Sequence, residues 1–395
     1  MTVSDAIVIV SAARTPIGWF QGDFSGVEAP QLGAAAIRAA VERSSVDPSA
    51  VDAVFMGCVL TAGLRQNPAR QAANFGGLPF SAPALNVNKL CGSGMMAMGV
   101  GYDALIAGSA SMVVAGGQEN MTNAPYLLKK ARSGYRLGHG EIYDHMFYDG
   151  LEDAYEPGQL MGHFAELTAR QYGFSREQQD EYAVRTLERA RTAVENGAFD
   201  AEIAPVTIKT RKGDISISRD ENPLKADPKK IPTLRPAFGK DGTITPASSS
   251  GIADGAAAVM MTRRTQAEKL GLPILATVRG YSVHAMEPRD FTIAPVPAME
   301  KLLQRINWSV DEVDLFEVNE AFAVTAMVAR KELDIPAERL NVHGGACALG
   351  HPIGATGARL ATTLIHALKA RGQRKGVASA CIGGGEAIAM AVELP

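Results

Sequence analysis

Cysteine is scarce in this chain of 395 residues, and its four cysteines lie far apart. They are Cys58, Cys91, Cys347 and Cys381, and none of them has the CxxC spacing of a zinc ribbon. The wide separation also argues against the disulfide framework of small secreted domains. We therefore expect free thiols in a reducing compartment, the cytoplasm, and no metal site.

An excess of charge is also missing, since 39 basic and 42 acidic residues leave a formal net charge of −3. This balance gives no reason to expect nucleic acid or an anionic membrane as a partner. No continuous apolar run approaches the roughly 18 to 20 residues that span a bilayer. The N-terminus shows neither the basic nor the apolar region of a signal peptide. We expect neither a nucleic-acid nor a membrane partner.

Glycine, in contrast, is abundant, with 40 residues, and apolar residues make up 46% of the chain. Residues 7–11, 52–59 and 112–115 have the continuous apolar composition of buried strands, whereas residues 30–43 and 68–75 have helical spacing. Buried strands that alternate with helices are typical of α/β proteins. The sequence thus predicts an α/β fold with a largely parallel sheet covered on both faces.

The second half of the chain repeats the pattern of the first. Residues 313–316 echo residues 51–55, and residues 341–343 stand where residues 86–88 stood. A repeated supersecondary unit indicates duplication. We therefore expect two packed α/β halves whose equivalent strand-to-helix turns face a shared crevice, where α/β sheets usually bind ligands.

A more polar, turn-rich stretch interrupts this pattern at residues 121–249. We interpret it as an inserted loop domain. The sequence then predicts an N-terminal half of residues 1–120 plus 250–272 and a C-terminal half of residues 273–395.

Cys91 follows an apolar strand and precedes a glycine turn at residues 92–94 and a helix at 95–106. Unpaired N–H groups and the dipole at a helix N-terminus favour a thiolate. We therefore expect the pKa of Cys91 to lie below the free value of about 8.5. An isolated cysteine is more often a buried structural residue, so the other turns must decide its role.

Three other turns carry candidate residues. His351 lies among small residues at 350–354, in the place we take as equivalent to Cys91, and histidine can accept the proton of a thiol. Cys381 ends a strand, and the glycines after it expose N–H groups that can bind an oxyanion. Asn319 ends another strand, and its amide can hold a water or a carbonyl oxygen. Each residue alone has a structural explanation, but four on turns of a duplicated fold indicate a catalytic site.

Four segments, in this order and spacing, resemble the signature segments of thiolases, and the similarity covers essentially the whole chain. They are residues 88–94, 319–322, 350–354 and 381–385. The resemblance implies duplicated βαβαβαββ halves in a layered α-β-α-β-α core. It also implies an inserted loop domain that binds coenzyme A, no cofactor besides the coenzyme A thioester substrate, and a homotetramer built as a dimer of dimers.

The resemblance also implies roles for individual residues. Cys91 is the nucleophile that becomes S-acetylated, and His351 is the base that activates it. Cys381 is the acid/base that takes a proton from the methyl group of the second acetyl-CoA. Asn319, through a water, and His351 bind the thioester oxygen in one oxyanion hole, and the N–H groups of Cys91 and Gly383 form the other.

Substrate contacts follow from the same resemblance. Ser250 corresponds to a serine at the pantetheine, and Met161 to a methionine of the substrate loop. Ala321 and Phe322, in the second signature segment, are further candidates for substrate contact. Phe291, in a segment similar to the pocket of acetoacetyl-CoA-type thiolases, narrows the acyl channel.

Three residues depart from the family pattern. Leu160 stands where histidine is frequent, which affects pocket polarity and chain-length preference. His343 stands where asparagine is common, and Glu386 where methionine, glutamine or glycine is usual; both lie farther from the reacting atoms.

The sequence therefore predicts an acetyl-CoA C-acetyltransferase acting on acetyl-CoA, acetoacetyl-CoA and CoA. The alternatives are a degradative 3-ketoacyl-CoA thiolase of broader chain length, a lipid-binding thiolase-like protein, and a redox-controlled protein with a reversible Cys91–Cys381 disulfide. Ketoacyl-ACP synthases share the fold but use Cys-His-His or Cys-His-Asn sets, so Cys381 argues against them.

Overall fold

The structure, a computed structural model, describes residues 5–211 and 213–395. In these ranges the strands are β1 Ile7–Arg14, β2 Gly18–Trp19, β3 Ala53–Gly57, β4 Ala84–Val87, β5 Met112–Asn120, β6 Tyr126–Leu127, β7 Tyr143–Asp144, β8 Val206–Thr210, β9 Gly213–Ile217, β10 Ala253–Arg263, β11 Ala276–Ala285, β12 Leu315–Val318, β13 Lys375–Ile382 and β14 Glu386–Glu393. The α-helices are α1 Ala29–Ser44, α2 Pro68–Phe75, α3 Ser93–Ala107, α4 Met161–Tyr172, α5 Arg176–Glu195, α6 Asn222–Lys225, α7 Arg264–Lys269, α8 Pro295–Ile306, α9 Ala323–Glu332, α10 Ala346–Leu349 and α11 Thr356–Arg371.

The main sheet has the strand order β12-β13-β14-β11-β1-β10-β5-β3-β4, and β2 pairs with β10. Strands β3, β4 and β5 are mutually parallel, as are β12 and β13, but the other neighbours along this path are antiparallel. The prediction of a largely parallel sheet is therefore wrong. In the C-terminal half β13 returns directly into β14 without a crossover helix, and strands joined in this way pair antiparallel. In the N-terminal half β5 pairs antiparallel with β10, which follows the turn-rich stretch.

The two halves repeat one another in detail. Asp52 accepts the two N–H groups at the start of β5, at 2.7 and 2.9 Å, and Asp314 accepts the two at the start of β13, at 2.9 and 2.8 Å. Helices α3 and α11 begin 263 positions apart (356 − 93), as do β5 and β13 (375 − 112). By this offset the counterpart of Cys91 is Gly354. His351 thus lies three positions before that counterpart, which corrects the equivalence expected from the sequence.

Five layers make up the core. Helices α3 and α11 pack together between the two halves of the sheet, in one apolar cluster with residues from strands of both halves. Helices α1 and α2 cover the other face of the first half, and α8 and α9 that of the second. The close approach of α3 and α11 needs glycine, because a Cβ at Gly94 would lie 2.9 Å from the backbone nitrogen of Ala358. The predicted α-β-α-β-α core is confirmed.

One segment in the described part of the chain, Leu90–Ala107, has the length and mean hydropathy, 1.3, of a membrane-spanning helix. It is not a continuous apolar run, since it includes Asp103. Half of it is buried, and α3 packs against α11 and β5. Its composition is that of a core helix.

The turn-rich stretch between β5 and β10 packs on the C-terminal half through α4 and α5. Helix α5 contacts α9 and α10, and α4 contacts α9. Arg14, fully buried in β1, pairs with Asp220 at 2.7 and 2.9 Å and with Glu202, and so ties this stretch to the sheet. The boundaries of the three predicted domains stay a prediction.

Candidate active site

Cys91 lies in a tight loop between β4 and α3. Leu90 has a positive φ of 46°, which is uncommon for a residue with a branched side chain. The Ser93 hydroxyl accepts the N–H of Lys89 at 2.8 Å and donates to the carbonyl of Leu90 at 2.7 Å. Ser93 thus stabilises the loop that places Cys91 two residues before the first turn of α3.

The Cys91 thiol does not have the low pKa expected from its place at a helix N-terminus. Burial raises its pKa to about 11, although the N–H groups of Gly383 and of Cys91 itself bond to the sulfur and lower it. The expectation fails because desolvation of a thiolate outweighs these donors. Cys91 is therefore a thiol at neutral pH and needs a base to become a nucleophile.

A neutral imidazole stands in the site to act as that base. Burial and the charge of Arg359 lower the pKa of His351 to about 3. The Thr356 hydroxyl donates to the carbonyl of Pro352 at 2.9 Å and lies 2.6 Å from Nδ1 of His351, so it accepts the Nδ1 proton. This arrangement leaves Nε2 unprotonated, 3.4 Å from the amide nitrogen of Asn319. Nε2 can accept a proton.

The second thiol lies on β13. Cys381 is fully buried, and burial together with the nearby Cys91 raises its pKa well above the ordinary value. The turn after it has positive φ at Gly384 and Gly385, 84° and 86°, which glycine adopts without strain. This turn directs the N–H of Gly383 at the Cys91 sulfur. Two thiols and two N–H groups therefore converge at one point.

A cavity of about 210 Å³ opens beside this point, and its walls are mostly apolar. Among the predicted substrate residues, Ser250, Met161 and Phe322 line it, together with His351 and Leu160. Ala321 is buried beside Cys381, and its carbonyl accepts the N–H of Ser250 at 2.9 Å.

Phe291 lies deeper than expected. It is 2% exposed and packs edge to face against Phe322, with 6.3 Å between ring centroids. The structure places it behind Phe322 rather than on the wall of the cavity. Any effect of Phe291 on the acyl channel must therefore act through Phe322.

Asn319 is held from behind by its neighbour Glu320. The Glu320 carboxylate accepts hydrogen bonds from Tyr182 at 2.8 Å and Thr186 at 2.9 Å, both on α5, and from Asn341 at 2.9 Å. Buried carboxylates with several donors are held firmly in place. Helix α5 therefore fixes the position of the Asn319 segment.

Sequence reasoning missed two residues that organise the site, Thr356 and Glu119. The Glu119 carboxylate is fully buried and accepts the backbone N–H groups of Val59 at 3.0 Å, Leu60 at 3.1 Å and Gly354 at 2.9 Å. Burial raises its pKa to about 7. It joins the His351 turn to the N-terminal half. The signal available in the sequence was an acidic residue inside an apolar, glycine-rich strand.

All four cysteines are free thiols in this structure. The described residues contain no group of three or more histidine, cysteine or acidic side chains arranged to hold a metal ion.

Comparison with known proteins agrees with this geometry. Residues 7–265 match the family described as "Thiolase, N-terminal domain", and residues 272–394 match "Thiolase, C-terminal domain". An acetyl-CoA acetyltransferase of Escherichia coli K12 is 48% identical over 98% of both chains, and one of Cupriavidus necator is 47% identical over 98% of this chain and 99% of the relative.

Solved structures show the same likeness. The acetyl-CoA acetyltransferase of Bacillus anthracis superposes with a TM-score of 0.97 at 40% identity, over the whole of both chains. The chain therefore belongs to the thiolase family.

Proposed function

We propose that this chain is an acetyl-CoA acetyltransferase, which joins two molecules of acetyl-CoA into acetoacetyl-CoA and CoA and also catalyses the reverse thiolysis. Relatives and a solved structure with full-length similarity have this name. The observation that carries the proposal is the convergence of the Cys91 thiol, the Cys381 thiol and the N–H of Gly383 beside a neutral His351.

In the first half-reaction, the Cys91 sulfur attacks the carbonyl carbon of acetyl-CoA while Nε2 of His351 takes the thiol proton. The N–H groups of Cys91 and Gly383 hold the negative oxygen that forms. The carbon–sulfur bond to CoA then breaks, and Cys381 protonates the departing sulfur. The products are S-acetyl-Cys91, CoA, an imidazolium and a Cys381 thiolate.

In the second half-reaction, the Cys381 thiolate takes a proton from the methyl group of the second acetyl-CoA. Its raised pKa makes it a strong base, which this weakly acidic carbon requires. Asn319, through a water, and the His351 imidazolium hold the enolate oxygen. The carbanion attacks S-acetyl-Cys91, acetoacetyl-CoA forms, and His351 returns its proton to Cys91.

The cavity is the place proposed for the pantetheine and acyl parts of the substrate. Ser250, Met161 and Phe322 line it next to His351. We place further coenzyme A contacts on residues 121–249, where basic side chains suit the anionic ADP group. Ala321 and Phe291 act behind this wall. The four free thiols support a cytoplasmic location.

The two thiols provide the test. Cys91→Ala should abolish acetylation of the protein by acetyl-CoA. Cys381→Ala should still accumulate acetylated Cys91 but lose turnover by about 10²- to 10⁴-fold, the range for general acid–base catalysis. Intact-protein mass and a thiolysis assay with acetoacetyl-CoA and CoA measure both effects. An acetyl group on Cys381, or near-normal turnover of Cys381→Ala, would contradict the proposal.

A broader 3-ketoacyl-CoA thiolase is the second candidate, and Leu160 is the observation that favours it. Leu160 makes the cavity wall apolar, which suits a longer acyl chain. Phe291 packs against the Phe322 ring that lines the cavity, and this contact favours the short-chain enzyme. We expect kcat/KM for thiolysis to be higher with acetoacetyl-CoA than with 3-oxooctanoyl-CoA. The opposite order would assign the broader activity.

A further inference from the structure

An ion pair joins the Cys91 loop to the glycine turn after Cys381. The ammonium group of Lys89 contacts the Glu386 carboxylate, and their side chains are 23% and 36% exposed. Lys89 precedes Cys91 by two residues, and Glu386 follows Gly383 by three. The pair therefore bridges the two halves of the molecule beside the reacting sulfur.

Each partner lies close in the chain to one of the two N–H groups that face the sulfur. Glu386 begins β14 and stands opposite Ile382 across the β13–β14 hairpin. The three residues between them are glycines, which have no side chain to fix their position. The position of the Gly383 N–H thus depends on groups at the base of the turn, and the Lys89 contact is one of them.

The Cys91 loop likewise depends on Lys89. Its N–H is bound by the Ser93 hydroxyl, and its carbonyl accepts the N–H of Gly92 at 3.0 Å. A Cβ at Gly383 would lie 3.3 Å from Leu90, so the loop and the turn are in direct contact. The ion pair spans the outer side of this contact.

We propose that Lys89 and Glu386 are positioning residues, which hold the N–H groups of Cys91 and Gly383 together so that both bind the oxygen of the acyl group on Cys91. This inference rests on the proposed function. An oxyanion site needs donors about 2.7–3.1 Å from the oxygen, and a small displacement of one donor weakens the site.

The stability of the fold depends little on this pair, because ion pairs that solvent reaches contribute about 0–1 kcal/mol. Its loss should therefore appear in the acyl-transfer rate and not in the unfolding transition. Alkylation of Cys91 by iodoacetamide forms no oxyanion, so it reports the reactivity of the thiol alone.

The experiment compares Glu386→Gln and Lys89→Gln with the wild type. We expect the rate of Cys91 acetylation by acetyl-CoA, followed by rapid quench and intact mass, to fall about threefold to tenfold. The rate of alkylation by iodoacetamide should stay within twofold. Glu312→Gln is the matched control, since Lys375 and Glu312 form a similar pair, 25% and 48% exposed, remote from the site. It should leave both rates unchanged.

A charge-exchanged variant, Lys89→Glu with Glu386→Lys, should recover much of the acetylation rate. The proposal is overturned by unchanged acetylation in the single variants, by equal losses in acetylation and alkylation, or by a change in KM alone, which would indicate attraction of the anionic substrate. If the wild type is not acetylated at all, the proposed function itself fails. If the wild type is acetylated and the variants match it, only the role of the ion pair fails.

Discussion

At the residue scale, burial decides the protonation states in the candidate site. The same desolvation raises the pKa of Cys91 to about 11 and lowers that of His351 to about 3. Both groups are therefore neutral at pH 7, and proton transfer between them accompanies attack on the thioester. A preformed thiolate is not required, because the base is present and has the correct tautomer through Thr356.

The lowered pKa of His351 predicts a pH dependence of stability. Between its folded value of about 3 and its ordinary value of 6.5, the unfolded chain binds a proton that the folded chain excludes. The free energy of unfolding should therefore fall as the pH drops through this window, by up to about 1.4 kcal/mol per pH unit. His351→Asn should lose this contribution, as measured by urea unfolding at pH 4, 5 and 6.

The control for this prediction is His139→Asn, since His139 lies on an exposed loop. This variant should show the same dependence of the free energy of unfolding on pH as the wild type. An identical dependence of the free energy of unfolding on pH in His351→Asn and the wild type would show that the fold does not lower the pKa of His351.

The residue types of the site could be predicted from the sequence, because each stands in a short motif of unusual composition. Cys91, His351, Cys381 and Asn319 were all named in this way. Their environment could not be predicted. The depth of Phe291 depends on its packing against Phe322, and the pKa of Cys91 depends on burial and on Gly383, which lies 292 positions away in the chain (383 − 91).

At the element scale, the ends of strands and helices hold the site together. Glu119, near the end of β5, binds backbone N–H groups of the β3–α2 connection and of the His351 turn. Glu320, just after β12, binds side chains of α5. These two buried carboxylates therefore link elements on different sides of the site.

Glu119→Ala should therefore be strongly destabilising. It leaves the N–H groups of Val59, Leu60 and Gly354 buried without their acceptor, at about 1–3 kcal/mol each, so we expect a loss of about 3 kcal/mol or more in urea unfolding. Glu119→Gln keeps one acceptor oxygen and should lose less.

Glu188→Ala, on the exposed face of α5, is the control and should change the free energy of unfolding by less than about 0.5 kcal/mol. Acetylation of Cys91 should slow in Glu119→Gln, because the His351 turn is no longer fully held. Equal stability of Glu119→Ala and Glu188→Ala would rule out this role of Glu119.

Elements were predicted more reliably than their pairing. The apolar runs at residues 7–11 and 112–115 are strands, and helix α2 has the bounds expected from its spacing. The antiparallel pairing of β10 with β5 and of β14 with β13 was missed. Strands that are buried on both faces have the same apolar composition whether they pair parallel or antiparallel. In this layered core, the central antiparallel strands are covered by helices on both faces of the sheet.

At the scale of the whole molecule, duplication explains how residues so far apart in the chain form one site. The offset of 263 positions places α3 and α11 side by side in the middle layer, with the Cys91 loop and the His351 turn at their N-terminal ends. Repeats in the sequence made this arrangement predictable, although the motif alignment placed His351 three positions away from its true register.

We expect the chain to assemble as a tetramer with contacts from residues 126–140, a stretch similar to the assembly loop of the family. Several apolar side chains on this stretch face solvent in the single chain, among them Tyr126 at 68%, Leu128 at 52% and Leu137 at 99% exposure. Clustered exposed apolar groups of this kind mark protein interfaces. The stretch is anchored at its base by the β6–β7 pair and by Lys129, which lies 3.3 Å from the ring centre of Tyr148.

Light scattering should give the mass of four chains for the wild type and of two for the double variant Leu128→Ser with Leu137→Ser. Replacing these side chains removes apolar area from an interface without disturbing the core, because neither residue is buried in the single chain. Ile106→Ser, exposed at 45% at the end of α3, is the control and should keep the wild-type mass. A wild type that is monomeric at micromolar concentration would contradict the tetramer. A double variant that keeps the full mass would place its interface elsewhere on the molecule.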